Sequence, residues 1–307
     1  MIFEPLKAIT DLTLSEQEPI ARYTAARLGG PADALAVAHS TEALVQAAQW
    51  AQRAKIAWVV IGGGANVLVS DAGFRGLVIV NHSKNSSIDG ETGGVEADSG
   101  VTLTPLARRC MAQGLKGLEW AVSVPGTLGG AIVNNAGAHG GDMAHNLMQA
   151  TILDLTSDSL TPEIWPVEKM AYDYRHSALK GHHQRYLVLH GVLQLEPHHD
   201  PAELASTADG FVAHRKKTQP PGASLGSIFK NPPGDYAGRL IETSGLKGYQ
   251  IGGVQVSPIH ANFIVNLGNG TASDYDALIQ HVRQTVQVKT GVLLELEIER
   301  IGEGFDE

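Results

Sequence analysis

Apolar and polar positions alternate with two periods along the chain, and the changes of period mark out its elements. Between Ser40 and Lys55, the residues Leu44, Ala47, Ala48 and Ala51 fall on one helical face. Ser40 is placed to cap that helix, and Glu42 suits its first turn. The run Trp58-Val59-Val60-Ile61 predicts a strand, and Val67-Leu68-Val69-Ser70 predicts another. With Leu77-Val78-Ile79-Val80 these make a β-α-β beginning. Asn81 to Gly100 is polar and broken by glycine, the pattern of short antiparallel strands. Thr104-Pro105 reads as the cap and first residue of a helix that Gly114 closes. Strands are expected over 149–155 and 186–195, then a helix from Ala202 to the cations His214-Arg215-Lys216-Lys217.

Ser224 to Phe229 reads as a strand-like piece stopped by Pro232-Pro233. Residues 238–242 look helical, and 252–266 read as turn and strand. Ser273 is expected to cap a helix with the face Leu278, Ile279, Val282 and Val286, ended by Gly291. Val292 to Glu299 alternates apolar and acidic residues, predicting a last strand with one wet face. Residues 1–22 are weakly patterned and expected to wrap the surface, while Pro197-His198-His199-Asp200-Pro201 has the look of a linker. A length of 307 residues favours two domains over one core.

Composition narrows the function. A net charge of −9 argues against general affinity for nucleic acid or an anionic membrane. Met1-Ile2-Phe3-Glu4-Pro5 has neither a basic nor an apolar leader region, and the purely apolar run Ile56 to Ile61 is too short to span a bilayer. One cysteine, Cys110, excludes an intrachain disulfide and fits the cytoplasm. It shares a predicted helix with Leu106, Ala107 and Met111, so a buried, inert thiol is expected.

The 35 glycines exceed the usual share of about 7%, and nine of them fall in two dense runs. One is Gly62-Gly63-Gly64-Ala65-Asn66 after a strand; the other spans Val122 to Gly141, dense in glycine among small apolar residues. Such runs let a ligand approach the main chain and present N–H groups to an anion. The alternative is a flexible loop, but linkers are polar and these runs are not. The first is followed by a strand and so is no dinucleotide fingerprint; without a Gly-Lys-Ser/Thr it is no P-loop. Two cradles of neither kind point to a large ligand held in another way.

Further candidates each have a plain alternative. Arg175, in Tyr172-Asp173-Tyr174-Arg175-His176-Ser177, is a site residue or a surface arginine. Ser227 is an active hydroxyl or part of an ordinary turn, and no G-x-S-x-G elbow supports a hydrolase. Glu295, Glu297 and Glu299 can all be exposed. His182-His183 and His198-His199 lack partners at metal-ligand spacing, and no metal is expected.

Taken in order, Gly62-Gly63-Gly64-Ala65-Asn66-Val67-Leu68, Pro125-Gly126-Thr127-Leu128-Gly129-Gly130-Ala131 and Asn135-Ala136-Gly137-Ala138 resemble the UDP-N-acetylenolpyruvoylglucosamine reductases over 23–302. Tyr174-Arg175-x-Ser177, Gly226-Ser227-x-Phe229-Lys230-Asn231-Pro232, His260-Ala261-Asn262-Phe263 and the acidic last strand separate these from oxidases of the same flavin fold. No long insertion with a substrate-clamping tyrosine occurs, as in the shorter class of the family.

The resemblance implies an α+β fold: a two-subdomain FAD-binding domain of the vanillyl-alcohol-oxidase type over 23–197, and a smaller α+β substrate domain over 205–307. It implies reduction of UDP-N-acetylglucosamine enolpyruvate to UDP-N-acetylmuramate in peptidoglycan synthesis, with FAD and NADPH, in a cytoplasmic monomer. Gly62, Gly63, Gly64, Ala65, Asn66, Val67, Ser70, Pro125, Gly126, Thr127, Gly129, Gly130, Asn135, Ala136 and Gly137 would hold FAD. Arg175 would hold the substrate carboxylate, and Ser227 would donate a proton assisted by Lys230. Glu297 would lie across the carboxylate, bonded through its own proton because two bare carboxylates repel. Arg215, Lys230, Asn231 and His260 would contact the nucleotide-sugar substrate. Thr218 stands where many relatives carry lysine, and Ser123 where glycine is usual. An oxidase of the same fold shares the cradles but not the Arg175, Ser227 and Glu297 set, and a non-catalytic flavin or nucleotide-sugar binder would show no turnover.

Overall fold

The α-helices form where caps and apolar faces coincide. The computed structural model describes residues 2–305; Met1, Asp306 and Glu307 lie outside the described residues. The helices are α1 (Thr41–Ala54), α2 (Leu103–Ala112), α3 (Leu128–Asn134), α4 (Met143–Asn146), α5 (Pro201–Thr218), α6 (Ala237–Thr243) and α7 (Ala272–Thr290). The Ser40 hydroxyl accepts the Ala43 N–H, and the expected face of α1 is buried. In α2 the cap is Thr102, two residues before the expected Thr104. Thr104 instead turns its hydroxyl to the Val122 carbonyl at 3.1 Å, and Pro105 stays within the first turn, where no intrahelical donor is needed. Cys110 is fully buried as expected, and burial pushes its thiol up to about 12.

The chain divides into two compact units. The first comprises 1–16, 34–63 and 76–214; the second comprises 17–33, 64–75 and 215–307. Each is discontinuous in sequence, unlike the contiguous ranges expected from the sequence. The expected linker Pro197–Pro201 does not separate them, because Leu204 and Ala208 of α5 are buried in the core of the first unit.

Two sheets organise the first unit. One has the order Leu12–Glu16, Ala32–Ala38, Phe74–Asn81, Trp58–Ile61. The last two are parallel, and Leu77 to Asn81 are buried at every position, as a central strand covered on both faces requires. No helix lies between them; the helical crossover α1 precedes Trp58. The expected surface segment supplies the first strand, and Phe3, Leu6 and Ile20 are buried despite their weak pattern. The second sheet has the order Glu163–Pro166, Leu147–Asp154, Tyr186–Gln194, Gly94–Asp98, Ser86–Ile88, with antiparallel neighbours. Its strand Tyr186–Gln194 buries Leu187, Leu189, Gly191 and Leu193 in alternation. A Cβ on Gly191 would lie 2.8 Å from Ile132, so glycine there lets α3 sit against the sheet.

In the second unit α6 and α7 pack on the sheet Ala223–Ser224, Ile264–Asn266, Val254–Val256, Gln250–Ile251. The cap of α7 is Thr271, not Ser273: Thr271 and Asp274 form a reciprocal capping box, and Gly291 ends the helix at φ 77°. The expected strand over 292–299 is largely irregular. Only Glu299–Ile301 is regular, pairing in parallel with Val67–Val69, while Leu296 makes an isolated bridge to Phe229. Leu294 and Ile298 are buried while Leu293 and Glu295 are exposed, so the expected alternation holds in burial although the backbone is irregular.

Candidate active site and cofactor cradle

In the first unit the two glycine runs meet, Gly62 against the Thr127 side chain and Gly63 against the Gly126 main chain. A Cβ on Gly62 would lie 2.3 Å from the Thr127 hydroxyl oxygen, and one on Gly63 would lie 2.8 Å from Gly126 Cα. Glycine is required at both for this approach. Thr127 caps α3, its hydroxyl accepting the Gly130 N–H, while the N–H groups of Leu128 and Gly129 donate to Val101 and Ser99 at 2.8 Å each. Those three N–H groups are therefore engaged by protein rather than offered to an anion. Gly130 is exposed, and its nearest neighbour to an added Cβ is 3.7 Å away, so packing within the protein does not demand glycine there and leaves that face of the helix open. These residues fit a large flat cofactor laid against the backbone. The described residues contain no group of three or more His, Cys, Asp or Glu that could hold a metal ion.

The end of α3 holds the arginine turn. Asp173 and His176 pair across a tight turn whose central residue Arg175 has φ 55°. The Tyr172 hydroxyl donates to the Ile132 carbonyl at 2.9 Å and Ser177 to that of Val133 at 2.6 Å. Asn135, left-handed at the C-cap of α3, donates to the Asp173 carbonyl at 3.1 Å and accepts from the Ala144 N–H. The Arg175 guanidinium donates to the Gly137 carbonyl at 2.8 Å and stacks over the Tyr174 ring. Arg175 is thus half-buried and oriented by the Asn135-Ala136-Gly137 loop, not a loose surface arginine. Ala136 closes the same loop, its carbonyl taking the Met143 N–H. Pro125 lies at the mouth of the second run. Ser123 has no left-handed backbone that would call for glycine; its hydroxyl lies 3.4 Å from His139, whose ring stacks on Phe211.

In the second unit Gly64 packs on the Tyr23 carbonyl, and its own carbonyl takes the Ala25 N–H. Ala65 is half-buried between Gly64 and Asn66. The side chain of Asn66 donates to the Glu297 carbonyl at 3.2 Å, and the Asn66 carbonyl accepts the Glu299 N–H at 2.9 Å. Val67 pairs with Glu299, and buried Ser70 takes the N–H groups of Gly30 and Gly73 on its carbonyl. Gly226, left-handed at φ 76°, turns the chain into Ser227. The next residues run against the last strand region: Lys230 N–H donates to Glu295 at 2.9 Å and Glu297 N–H to Ile228 at 2.8 Å. This joins Ile228, the residue after Ser227, to Glu297 in one short ladder. The Lys230 ammonium lies 3.6 Å from the Glu295 carboxylate.

Asn231 accepts the Ala237 N–H at the start of α6. His260 is half-buried, and burial, with Lys247 adding to it, lowers its pKa; its Nδ1 accepts the Asn262 N–H, so the neutral ring carries its proton on Nε2. Arg215 bonds Gln219 at 2.6 Å, and burial lowers its guanidinium below the usual value. Thr218 is the last residue of α5. Arg175 belongs to the first unit, and Ser227, Lys230, Glu297 and His260 to the second. Two residues without a role from sequence emerge as anchors: Tyr172, in the arginine turn, and Asn262, in the His-Ala-Asn-Phe stretch.

Residues 217–301 match the family signature described as UDP-N-acetylenolpyruvoylglucosamine reductase, C-terminal domain, and residues 32–159 match an FAD binding domain. The UDP-N-acetylenolpyruvoylglucosamine reductase of Synechococcus sp. (strain WH7803) is 44% identical over 300 residues, covering 97% of this chain and 96% of that one.

The chain belongs to the UDP-N-acetylenolpyruvoylglucosamine reductases.

A second such reductase, from Chloroflexus aggregans, is 41% identical over 95% of this chain and 99% of its own. Among solved structures, the reductase of Thermus caldophilus superposes with a TM-score of 0.79 at 31% identity, covering 95% of this chain and 99% of that one. The 6-hydroxy-D-nicotine oxidase of Arthrobacter nicotinovorans shares the fold alone, with a TM-score of 0.50 and 17% identity over 63% of this chain. As a family reductase, this protein is an FAD-dependent enzyme of peptidoglycan biosynthesis, with an FAD-binding domain of the vanillyl-alcohol-oxidase type and a smaller α+β C-terminal domain. No described helix is long and apolar enough to cross a membrane.

Proposed function

We propose that this reductase converts UDP-N-acetylglucosamine enolpyruvate to UDP-N-acetylmuramate with NADPH as reductant, acting as a cytoplasmic monomer. The observation that carries the mechanism is the ladder that ties Ile228-Phe229-Lys230, directly after Gly226-Ser227, to Glu295-Leu296-Glu297. When bound, FAD supplies the hydride, taken from NADPH, to the terminal alkene carbon. The residues assigned to FAD are Gly62 to Val67, Ser70, Pro125 to Thr127, Gly129, Gly130 and Asn135 to Gly137. The close packing of Gly62 on Thr127 and of Gly63 on Gly126, with the unpacked face of Gly130, supports that set.

Charge develops on the carbon beside the substrate carboxylate and spreads into it as an enolate. Arg175 holds that carboxylate; the carbonyl of Gly137 fixes its fork beforehand, so little reorganisation is needed. Ser227 delivers the proton to the enolate carbon. A serine hydroxyl is a weak acid, and the Lys230 ammonium, three residues along the chain, offsets the charge it acquires. Glu297 shares its proton with the carboxylate. His260, protonated on Nε2, donates to the nucleotide-sugar, and Arg215 and Asn231 orient it. The two functional parts are a flavin-holding region over 23–197 and a substrate-covering region over 205–307, with the described compact units cutting across both.

The test is anaerobic. NADPH should bleach the flavin band at about 450 nm, and UDP-N-acetylglucosamine enolpyruvate should then restore it without oxygen. Recovery only in air would instead identify an oxidase, and no bleaching would leave a binding protein.

A further inference from the structure

The Phe229 main chain has partners on both edges, and one edge is not a strand. Toward the last strand region, its neighbours Ile228 and Lys230 make the antiparallel bonds to Glu297 and Glu295. In that pattern the N–H and C=O of Phe229 itself point the other way. There the Asn262 side chain meets both: Phe229 N–H donates to Oδ1 at 3.0 Å, and Nδ2 donates to the Phe229 carbonyl at 2.8 Å. A primary amide carries the same donor and acceptor as a peptide unit, so Asn262 stands in for a missing strand. The Asn262 carbonyl also accepts the Ile228 N–H at 2.9 Å, and its N–H fixes the tautomer of His260. Asn262 is 4% exposed and Phe229 1%, so water is not at hand to replace these bonds.

We infer that Asn262 is a positioning residue for the protonation step: through the doubly held Phe229 it sets Ser227 and Lys230 against Glu297. This rests on the assignment of Ser227 as proton donor. The demand is geometric, because displacement of a donor by about 1 Å costs roughly a hundredfold in rate. Carboxylate cannot replace the amide, since an ionised aspartate side chain at this position accepts only and would face the Phe229 carbonyl. Nothing in the contacts of Asn262 touches the FAD-assigned residues, so loss of its side chain should leave flavin reduction alone.

The experiment compares Asn262→Asp, Asn262→Ala and Ser227→Ala in the full-length holoenzyme. Three quantities are read: hydrogen exchange of the Phe229 amide, the rate of flavin bleaching by NADPH, and the rate of reoxidation by the enolpyruvyl nucleotide in H2O and D2O. In the two Asn262 variants bleaching should stay within about twofold of the parent, while reoxidation slows by about ten- to a hundredfold with a larger solvent isotope effect. The Phe229 amide should stay protected in Asn262→Asp, which keeps Oδ1, and exchange faster in Asn262→Ala. The inference is overturned if bleaching and reoxidation fall together, if both variants fail to fold with FAD, or if reoxidation is unchanged while Phe229 loses protection. Normal turnover by Ser227→Ala would sink the donor assignment and this inference with it. Arrest of reoxidation in Ser227→Ala beside normal Asn262 variants would sink this inference alone.

Discussion

Arg175 and Ser227 both sit where the backbone turns left-handed, Arg175 by its own φ of 55° and Ser227 just after Gly226 at φ 76°. Tight turns of this kind present a side chain at a fixed angle, and strain held at such positions is a mark of function when the surroundings enforce it. Ser227→Ala should keep FAD and its bleaching by NADPH yet slow product formation by about 10²–10⁴-fold, the range for loss of a general acid; stopped-flow reoxidation measures this. Glu297→Gln should retain more activity than Glu297→Ala, since an amide still offers a hydrogen to the carboxylate; equal losses in steady-state assays would count against that role. Arg175→Lys should lose about a hundredfold or more in the same assay. A lysine ammonium cannot form the planar fork that now reaches the Gly137 and Asn135 carbonyls, so a near-normal rate would remove Arg175 from the enolate trap.

Elements with a repeating face were legible in the sequence; elements defined by a partner were not. Ser40, the α1 face and the α7 face follow from helical spacing, and the structure buries them as expected. Thr104 and Ser273 each have the spacing of a cap, yet the caps are Thr102 and Thr271, because a hydroxyl near a helix start has other acceptors within reach. Ser273 instead joins the Ala272 N–H in binding Asp71, whose side chain lies 202 positions away in sequence from Ser273. No local pattern reveals such a bond. Likewise Asn262 partners a backbone, so neither its spacing nor its type announced a role.

The Asp71 tie predicts a pH dependence. Burial alone would raise its pKa, but the Ser273 hydroxyl and the N–H groups of Ala272 and Ser273 hold it below the ordinary value. Its contribution is therefore complete above the unfolded carboxylate's pKa and is lost as pH falls through the folded one. Asp71→Asn should lower the thermal midpoint at neutral pH, and the gap from the parent should narrow in acid. Thr271→Ala should cost about 1 kcal/mol, seen in urea unfolding at any pH above that window.

At the scale of the whole molecule, the second unit gathers three separate stretches of chain, and its strand Val67–Val69 is completed by Glu299–Ile301. Asn66 and Glu297, which bond there, are 231 positions apart. A ribosome adds about 5–20 residues each second, so the earlier strand waits for its partner for roughly ten to fifty seconds after it is made. During that interval its edge is open to any passing strand, the hazard that nascent-chain chaperones exist to cover. Chains arrested on the ribosome before Glu299 should accordingly be cut by protease within 64–75, and released chains that include Glu299–Ile301 should resist. The enzyme's birth is thus gated by the codons for Glu299–Ile301, and loss of that stretch would be felt first near residue 67.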